Sequence, residues 1–127
     1  MLELGGRLGE RPPLMIASIF YRGDRRVRDH ERGVFDADGE RRLIESDLRA
    51  ARSLHFPYAL DVIIAGKEAA RPYLEFASQF GVPILVDGID PGVRAHAFRV
   101  VGELGISELA VANAIYPDST EEEIRAL

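Results

Sequence analysis

Residues 81–91 read GVPILVDGIDP, and this stretch decides the fold. Its apolar run, Val82–Val86, is continuous rather than alternating, which is typical of a strand buried on both faces of a parallel sheet. Gly81 stands before the run, where a left-handed glycine commonly ends a helix. Asp90 and Pro91 follow it with the residue types of a helix N-cap and first turn. The stretch therefore predicts a helix, a strand and a second helix in succession.

The rest of the chain repeats this pattern. Three more apolar runs predict strands at Leu14–Phe20, Tyr58–Ala65 and Leu109–Ile115. Amphipathic spacing predicts helices at Glu40–His55, Lys67–Phe80 and Val93–Leu104, and Gly105 stands at the end of the last of these. Strands that alternate with helices at this spacing predict a parallel sheet with right-handed crossovers.

A fourth helix is predicted near residue 120. Ser119 and Glu122 have the spacing of a capping box, in which each residue bonds the backbone of the other. The chain continues for about two helical turns to Leu127, which is short for a stable helix. We therefore expect the domain to need more chain than these 127 residues.

Four β/α units can form half of a (β/α)₈ barrel or most of a small doubly wound sheet. The doubly wound fold usually binds nucleotides through a glycine-rich first turn. Here the first strand is followed by residues 21–24, YRGD, and an arginine-rich loop, and the sequence has no G-x-G-x-x-G or Walker motif. We predict an α/β fold of TIM-barrel type with only its first four β/α units, a half-barrel.

The composition narrows the class of protein. The 127 residues, 46% hydrophobic and 29% charged, suit one small globular domain. A formal net charge of −5 argues against nucleic acid as the main partner. The absence of cysteine excludes disulfides, a thiolate nucleophile and a cysteine-bound zinc. We expect no transmembrane segment and a cytoplasmic location, because the sequence shows neither a long apolar run nor a signal-peptide layout.

Polar residues near the predicted strand ends are candidates for a ligand site, because barrel enzymes bind their ligands there. They are Asp61, Asp87 and Asn113. Asp87 and Asn113 suit a flat heterocycle with adjacent N–H donors and a ring acceptor, although polar residues also end many strands for solubility. Asp61 either points into the barrel mouth or pairs with a cation. Asp90 can form a D-x-x-D metal pair with Asp87, but a capping role already explains it.

The loop after the first strand carries five arginines among acidic residues. It is either a cationic lip that meets an anionic ligand tail or an acidic partner, or a solvated loop of mixed charge. The three histidines lack the spacing of a metal site. His30 does not lie in the D-x-H-x-x-G pattern that supplies a cobalt ligand in corrinoid proteins, so we expect any cobalamin to be carried by a partner.

Several segments, in the same order and spacing, resemble the H-subunit family of the tetrahydromethanopterin S-methyltransferases. They are Leu4–Gly6, Gly9–Pro12, Ser18–Tyr21, Gly33–Asp36, Ile84–Asp87 and Glu121–Ile124. The resemblance implies that residues 1–127 are the N-terminal half of a pterin-binding TIM-barrel domain. Such enzymes transfer the N5-methyl group of a tetrahydropterin to the cobalt(I) of a corrinoid protein.

The resemblance also implies roles for the candidate residues. In pterin-binding barrels an Asp and an Asn at neighbouring strand ends hold the pterin ring, and these correspond to Asp87 and Asn113. Asp61 resembles an acidic residue near the second strand end. The sequence departs from the family at residues 64–68, at Gly88, where a serine is usual, and at residues 114–116. These departures leave methanopterin and folate open as the donor, and no residue is identified as the proton donor to N5.

Two other interpretations stay open. The chain can be a non-catalytic half-barrel that binds pterin or assembles with a missing C-terminal half or a second copy of itself, because exposed sheet edges tend to pair. It can also be a pterin synthase, although the glycine-rich loop typical of that family is absent after Asp61. Methyl transfer to a corrinoid protein is the prediction carried forward.

Overall fold

The computed structural model describes residues 12–127, so the resembling segments between residues 4 and 11 lie outside the described part. The elements follow in the order β1 (Met15–Ile19), β2 (Val27–Asp29), β3 (Val34–Phe35), α1 (Ala37–Leu54), β4 (Tyr58–Ile64), α2 (Lys67–Ser78), β5 (Ile84–Gly88), α3 (Pro91–Leu104), β6 (Ala110–Asn113) and α4 (Glu121–Arg125).

Four strands form one parallel sheet in the order β1-β4-β5-β6. Each strand pairs in parallel with the next one, so their carboxyl ends lie along the same edge. The predicted α/β class and the parallel sheet are confirmed. Strands β2 and β3 form a separate antiparallel pair inside the arginine-rich loop, which the sequence analysis did not predict.

The core lies on one face of the parallel sheet. Leu60, Val62 and Ile64 of β4 are fully buried there, together with Ile84 and Val86 of β5. These side chains share one cluster with the buried sides of α1, α2 and α3. The opposite face is only half-buried, because β5 alternates between buried and half-buried residues. The prediction that the strands are buried on both faces is therefore wrong for residues 12–127.

Two of the helices begin at an aspartate N-cap. Asp36 accepts a hydrogen bond from the Gly39 N–H at 3.0 Å, so α1 begins three residues before the predicted start at Glu40. Asp90 accepts from the Val93 N–H at 2.9 Å, and Pro91 is the first residue of α3. These bonds confirm the capping role of Asp90. Gly105 ends α3 in the left-handed conformation, as predicted.

The predicted capping box of α4 is wrong by one residue. The box joins Thr120 and Glu123, with the Thr120 N–H donating to the Glu123 carboxylate at 2.8 Å. The Ser119 hydroxyl instead accepts from the Tyr116 N–H at 2.9 Å in the preceding turn. The shift has a physical reason: it turns Glu123 inward, where the carboxylate also pairs with Arg94 at 2.6 Å.

Arg94 ties α3 to α4 and to the end of β5. Besides Glu123, its guanidinium donates to the Gly88 carbonyl oxygen at 3.1 Å. The Arg94 backbone lies so close to Gly88 that a Cβ atom there would stand 2.7 Å from the Arg94 nitrogen and 2.5 Å from the Arg94 Cγ. This close approach accounts for glycine at position 88, directly after Asp87.

We expect Gly88→Ala to lower the free energy of unfolding by about 1–3 kcal/mol, because an added methyl group there overpacks against the Arg94 backbone. Gly102→Ala is the matched control. Gly102 lies in α3 with no atom near the position of an added Cβ, so the change should raise stability by about 0.5–1 kcal/mol through helix propensity. Urea unfolding of both variants measures the two values. Equal effects of the two substitutions would contradict the packing at Gly88.

Candidate functional site

The three predicted site residues all lie on the half-buried face of the sheet, towards its carboxyl edge. Asp61 is in β4, Asp87 is near the end of β5, and Asn113 is the last residue of β6. Asp87 stands directly opposite Asn113 in the strand register, and opposite Ile63 on its other side. The parallel register therefore places the carboxylate and the carboxamide next to each other.

Asp61 connects three strands through its carboxylate. One oxygen accepts from the Ser18 hydroxyl at 3.0 Å, and the other accepts from the Asn113 side-chain N–H at 3.2 Å. The Asn113 side chain reaches over β5 to make this bond, because β5 lies between β4 and β6. Of the two predicted alternatives for Asp61, pairing with a cation is not what the described side chains show. Its partners are a hydroxyl group and a carboxamide.

The Asp87 carboxylate is half-buried, and no group within residues 12–127 donates a hydrogen bond to it. Burial raises the pKa of Asp87, the negative charge of Asp61 raises it further, and Arg94 partly opposes both effects. A half-buried carboxylate without donors is costly unless something pairs with it. Both oxygens of Asp87 therefore have no hydrogen-bond donor among residues 12–127.

A pocket of about 570 Å³ opens at the carboxyl edge of the sheet. Its lining residues come from the segments that follow the strands and from the arginine-rich loop: Phe20, Arg22, His30, Glu31, Ile63, Ala65, Ile89 and Asp90. Since Ile63 is the register partner of Asp87, the pocket adjoins the candidate site. Half of its lining residues are apolar and half are polar or charged, and Asp61, Asp87 and Asn113 are not among them.

The arginine-rich loop divides into two parts. Four of its arginines are exposed, namely Arg22, Arg25, Arg28 and Arg32. Of these, Arg22 lines the pocket, as expected for a cationic lip. Arg26 instead turns inward and pairs with Glu40 at 2.9 Å and with Asp24 at 3.1 Å. The loop therefore combines features of both predicted alternatives: one arginine lines the pocket, other arginines are exposed to solvent, and Arg26 forms ion pairs inside the domain.

These features define a class of protein: an α/β domain with polar side chains on the half-buried face of a parallel sheet, near the carboxyl ends of its strands. The sequence model of the family described as tetrahydromethanopterin S-methyltransferase MtrH subunit matches residues 2–127. The chain belongs to this family, and the resemblance found in the sequence is confirmed.

Curated relatives agree with this membership. The mtx methyltransferase H-subunit of Methanosarcina barkeri is 32% identical over 127 residues, which is 99% of this chain and 41% of that protein. The tetrahydromethanopterin S-methyltransferase H-subunit of Methanopyrus kandleri is 30% identical over 127 residues, again 99% of this chain and 39% of the relative. The chain thus spans about two-fifths of the length of these relatives. Among the helices between residues 12 and 127, none has both the length and the apolar character needed to traverse a bilayer.

A buried pair of carboxyl groups lies behind the pocket and was missed by the sequence analysis. Asp24 is 3% exposed and Glu40 is fully buried. Asp24 accepts from the Phe20 N–H at 3.3 Å and from the Arg26 N–H at 3.0 Å. It thereby supports Phe20, a pocket residue whose φ of 62° is unusual for a side chain of this size. The only sequence signal was Asp24 in a glycine-containing turn.

Two effects raise the pKa of Glu40 to about 7. The larger is burial, and the second is the neighbouring Asp24 carboxyl group, which the Arg26 guanidinium only partly offsets. Burial also acts on Asp24, but the neighbouring Glu40 carboxyl group and the hydrogen bond from the Arg26 backbone N–H prevail and lower the pKa of Asp24. Asp24 therefore carries the charge of the pair, and Glu40 is the member that holds the proton.

Because the pKa of Glu40 is higher in the folded chain than in the unfolded chain, its protonated form favours folding. This contribution is complete below about pH 4.5 and is lost as the pH rises to about 7. We expect Glu40→Gln, which keeps an acceptor for Arg26, to gain on the order of 1–3 kcal/mol relative to the parent chain over this range. Urea unfolding at several pH values measures the difference. The control is Glu45→Gln, an exposed position in the same helix; the same pH trend in both variants would contradict the assignment.

Proposed function

We propose that this chain is the pterin-binding part of a methyltransferase that moves the N5-methyl group of a tetrahydropterin to a corrinoid carried by a separate protein. The observation that carries the proposal is the Asp87 carboxylate, which is half-buried, lacks a donor within residues 12–127 and lies between Asn113 and the pocket residue Ile63 in the strand register. Family membership supports the methyltransferase class, and the names of the relatives support a tetrahydropterin donor.

The chemistry of a pterin matches this arrangement. One edge of its pyrimidine ring carries an amino group beside a ring N–H, so it offers two parallel donors. A carboxylate such as Asp87 can accept both, in the manner of a bidentate pair. The carboxamide of Asn113 can bond a further ring position from the neighbouring strand. The pocket beyond Ile63 is large enough for the group attached to the pterin ring.

We further propose that residues 1–127 are the N-terminal half of a (β/α)₈ barrel domain. The strand order β1-β4-β5-β6 follows the chain without reversal, whereas a doubly wound sheet reverses its order at the ligand site. Helices α1, α2 and α3 share the core on one face, and the opposite face is half-buried and carries the candidate site. In a barrel, that opposite face would line the interior.

The described residues contribute to the reaction by binding and orientation. Hydrogen bonds from the ring to Asp87 and Asn113 would fix the plane of the pterin and hence the direction of the N5–CH₃ bond, which is catalysis by positioning. Transfer also requires N5 to be protonated or hydrogen-bonded, because loss of the methyl group from an unprotonated tertiary amine would leave a nitrogen anion at N5, which is a poor leaving group. The corrinoid supplies cobalt(I), a nucleophile strong enough to take the methyl group without a zinc-activated thiol.

A second candidate function is assembly of this chain with another set of strands, either a C-terminal half or a second copy. It is favoured by the half-buried sheet face, where Ile16 is 50% exposed, and by β1 and β6, which are edge strands within the described part of the chain. Unpaired edges and half-buried apolar faces favour association. Sedimentation of the purified chain at micromolar concentration tests it: a dimer supports self-assembly, and a stable monomer counts against it.

The central experiment is calorimetric binding of methyl-tetrahydrofolate and methyl-tetrahydromethanopterin to the purified chain. We expect Asp87→Ala to abolish measurable binding, and Asp87→Asn to weaken it at least about tenfold, because both remove the carboxylate that pairs with the ring N–H donors. Since the pKa of Asp87 is raised, binding should also weaken as the pH falls, and at a higher pH than for an ordinary aspartate. The preferred ligand identifies the donor.

Asp118→Asn is the matched control. It removes one carboxylate from an exposed position in the loop before α4, and it should leave pterin affinity within about twofold. Equal affinities of the parent chain and Asp87→Asn would contradict the proposed role of Asp87. Absence of binding by a chain shown to be folded by circular dichroism would contradict a pterin site formed by these residues alone.

A further inference from the structure

We propose that Ser18 and Asp61 are positioning residues that fix the side-chain amide of Asn113, so that its oxygen rather than its nitrogen faces the ligand. The inference deepens the proposed function and rests on it for the identity of the ligand. It assigns a role to Ser18, which the sequence analysis did not single out. It also changes the role of Asp61 from a direct pterin ligand to a residue that acts through Asn113.

Both carboxylate oxygens of Asp61 already accept hydrogen bonds. One accepts from the Ser18 hydroxyl at 3.0 Å and the other from the Asn113 amide at 3.2 Å. Asp87 differs, because within residues 12–127 neither of its oxygens has a donor. Of the two carboxylates on this face, Asp87 is therefore the one available to a ligand, and Asp61 is held by the protein.

The hydrogen bond to Asp61 fixes the direction of the Asn113 amide. A carboxylate can only accept hydrogen bonds, so the carboxamide must turn its NH₂ group towards Asp61. The amide is planar, and its oxygen then points away from Asp61. Ser18 stands opposite Asp61 in the strand register and anchors the other carboxylate oxygen, which limits rotation of the Asp61 side chain. Ser18, Asp61 and Asn113 thus form a chain of two hydrogen bonds across the sheet.

The orientation of the Asn113 amide affects which ring the site selects. Asp87 and Asn113 are register partners, so with the Asn113 oxygen turned away from Asp61 the site would offer acceptors from two neighbouring strands. Such a site favours a ring edge rich in N–H donors, as in a 2-amino-4-oxo pterin. It disfavours the 2-oxo counterpart, a lumazine, which places a carbonyl oxygen against these acceptors and leaves them unpaired. The hydrogen bonds among Ser18, Asp61 and Asn113 would therefore determine whether the site prefers an amino group or an oxo group at position 2 of the ring.

The orientation can be tested without any ligand. In ¹⁵N NMR spectra of the chain, the Asn113 side-chain NH₂ should show one proton that exchanges slowly and is shifted by its bond to a carboxylate. Asp61→Ala should remove both signatures, and the exposed control Asp118→Asn should retain them. Fast exchange of both Asn113 amide protons in the parent chain would overturn the inference, whatever the chain binds.

The selectivity is tested by the ratio of the dissociation constants for tetrahydrolumazine and tetrahydropterin. Asp61→Asn can donate to Asn113 and so permits the amide to reverse, and we expect it to lower this ratio about tenfold. Ser18→Ala should lower it about threefold, and Ser18→Thr, which keeps the hydroxyl, should restore it. A loss of folded protein would weaken both ligands alike and leave the ratio unchanged, so the ratio separates positioning from stability.

A double-mutant cycle separates action through Asn113 from direct contact with the ligand. In an Asn113→Ala background, Asp61→Asn should change pterin affinity less than about twofold, because its effect passes through the missing amide. Additive effects of the two substitutions, or an unchanged ratio in an Asp61→Asn variant shown to be folded by circular dichroism, would overturn the inference. If the NMR signatures hold but the parent chain binds neither ring, the proposed function fails and the orientation of Asn113 stands.

Discussion

In-register parallel pairing of β1, β4, β5 and β6 is the constraint on which the candidate site depends. It brings the carboxyl ends of all four strands to one edge, and three helices cover one face of the sheet. Residues far apart in sequence, such as Ser18, Asp61 and Asn113, thereby come within hydrogen-bonding distance. The buried face holds the fold together, while the half-buried face is left for polar chemistry.

Carboxylates are concentrated at this edge, and most of them have partners. Asp24 and Glu40 both pair with the Arg26 guanidinium, and Glu123 pairs with Arg94 while it caps α4. These pairings connect loops and helix starts, and they give the buried carboxyl groups the cationic partners that burial requires. Asp87 differs from these, since its charge is opposed by burial and by Asp61 and only partly favoured by Arg94. A functional site is where such a departure is expected.

Much of this arrangement could be predicted from the sequence. Continuous apolar runs and amphipathic helices indicated the parallel sheet, and Asp87 and Asn113 were candidates because parallel strands end at one edge. Contacts set by side-chain reach could not be predicted. The Asn113 amide crosses β5 to reach Asp61, the Glu40 carboxyl is drawn inward by Arg26, and the start of α4 is decided by the pairing of Glu123 with Arg94. Each depends on three-dimensional neighbours that sequence spacing does not specify.

The most direct test is to measure the pKa of Asp87 by ¹³C NMR of its carboxyl carbon. The measurement is made without ligand and again with methyl-tetrahydrofolate or methyl-tetrahydromethanopterin. Without ligand, the account predicts a pKa above the ordinary value for aspartate. On saturation with the donor that binds, hydrogen bonds from the ring to the charged carboxylate should lower that pKa. An Asp87 pKa that stays unchanged while the pterin saturates its site would contradict the claim that this carboxylate holds the ring.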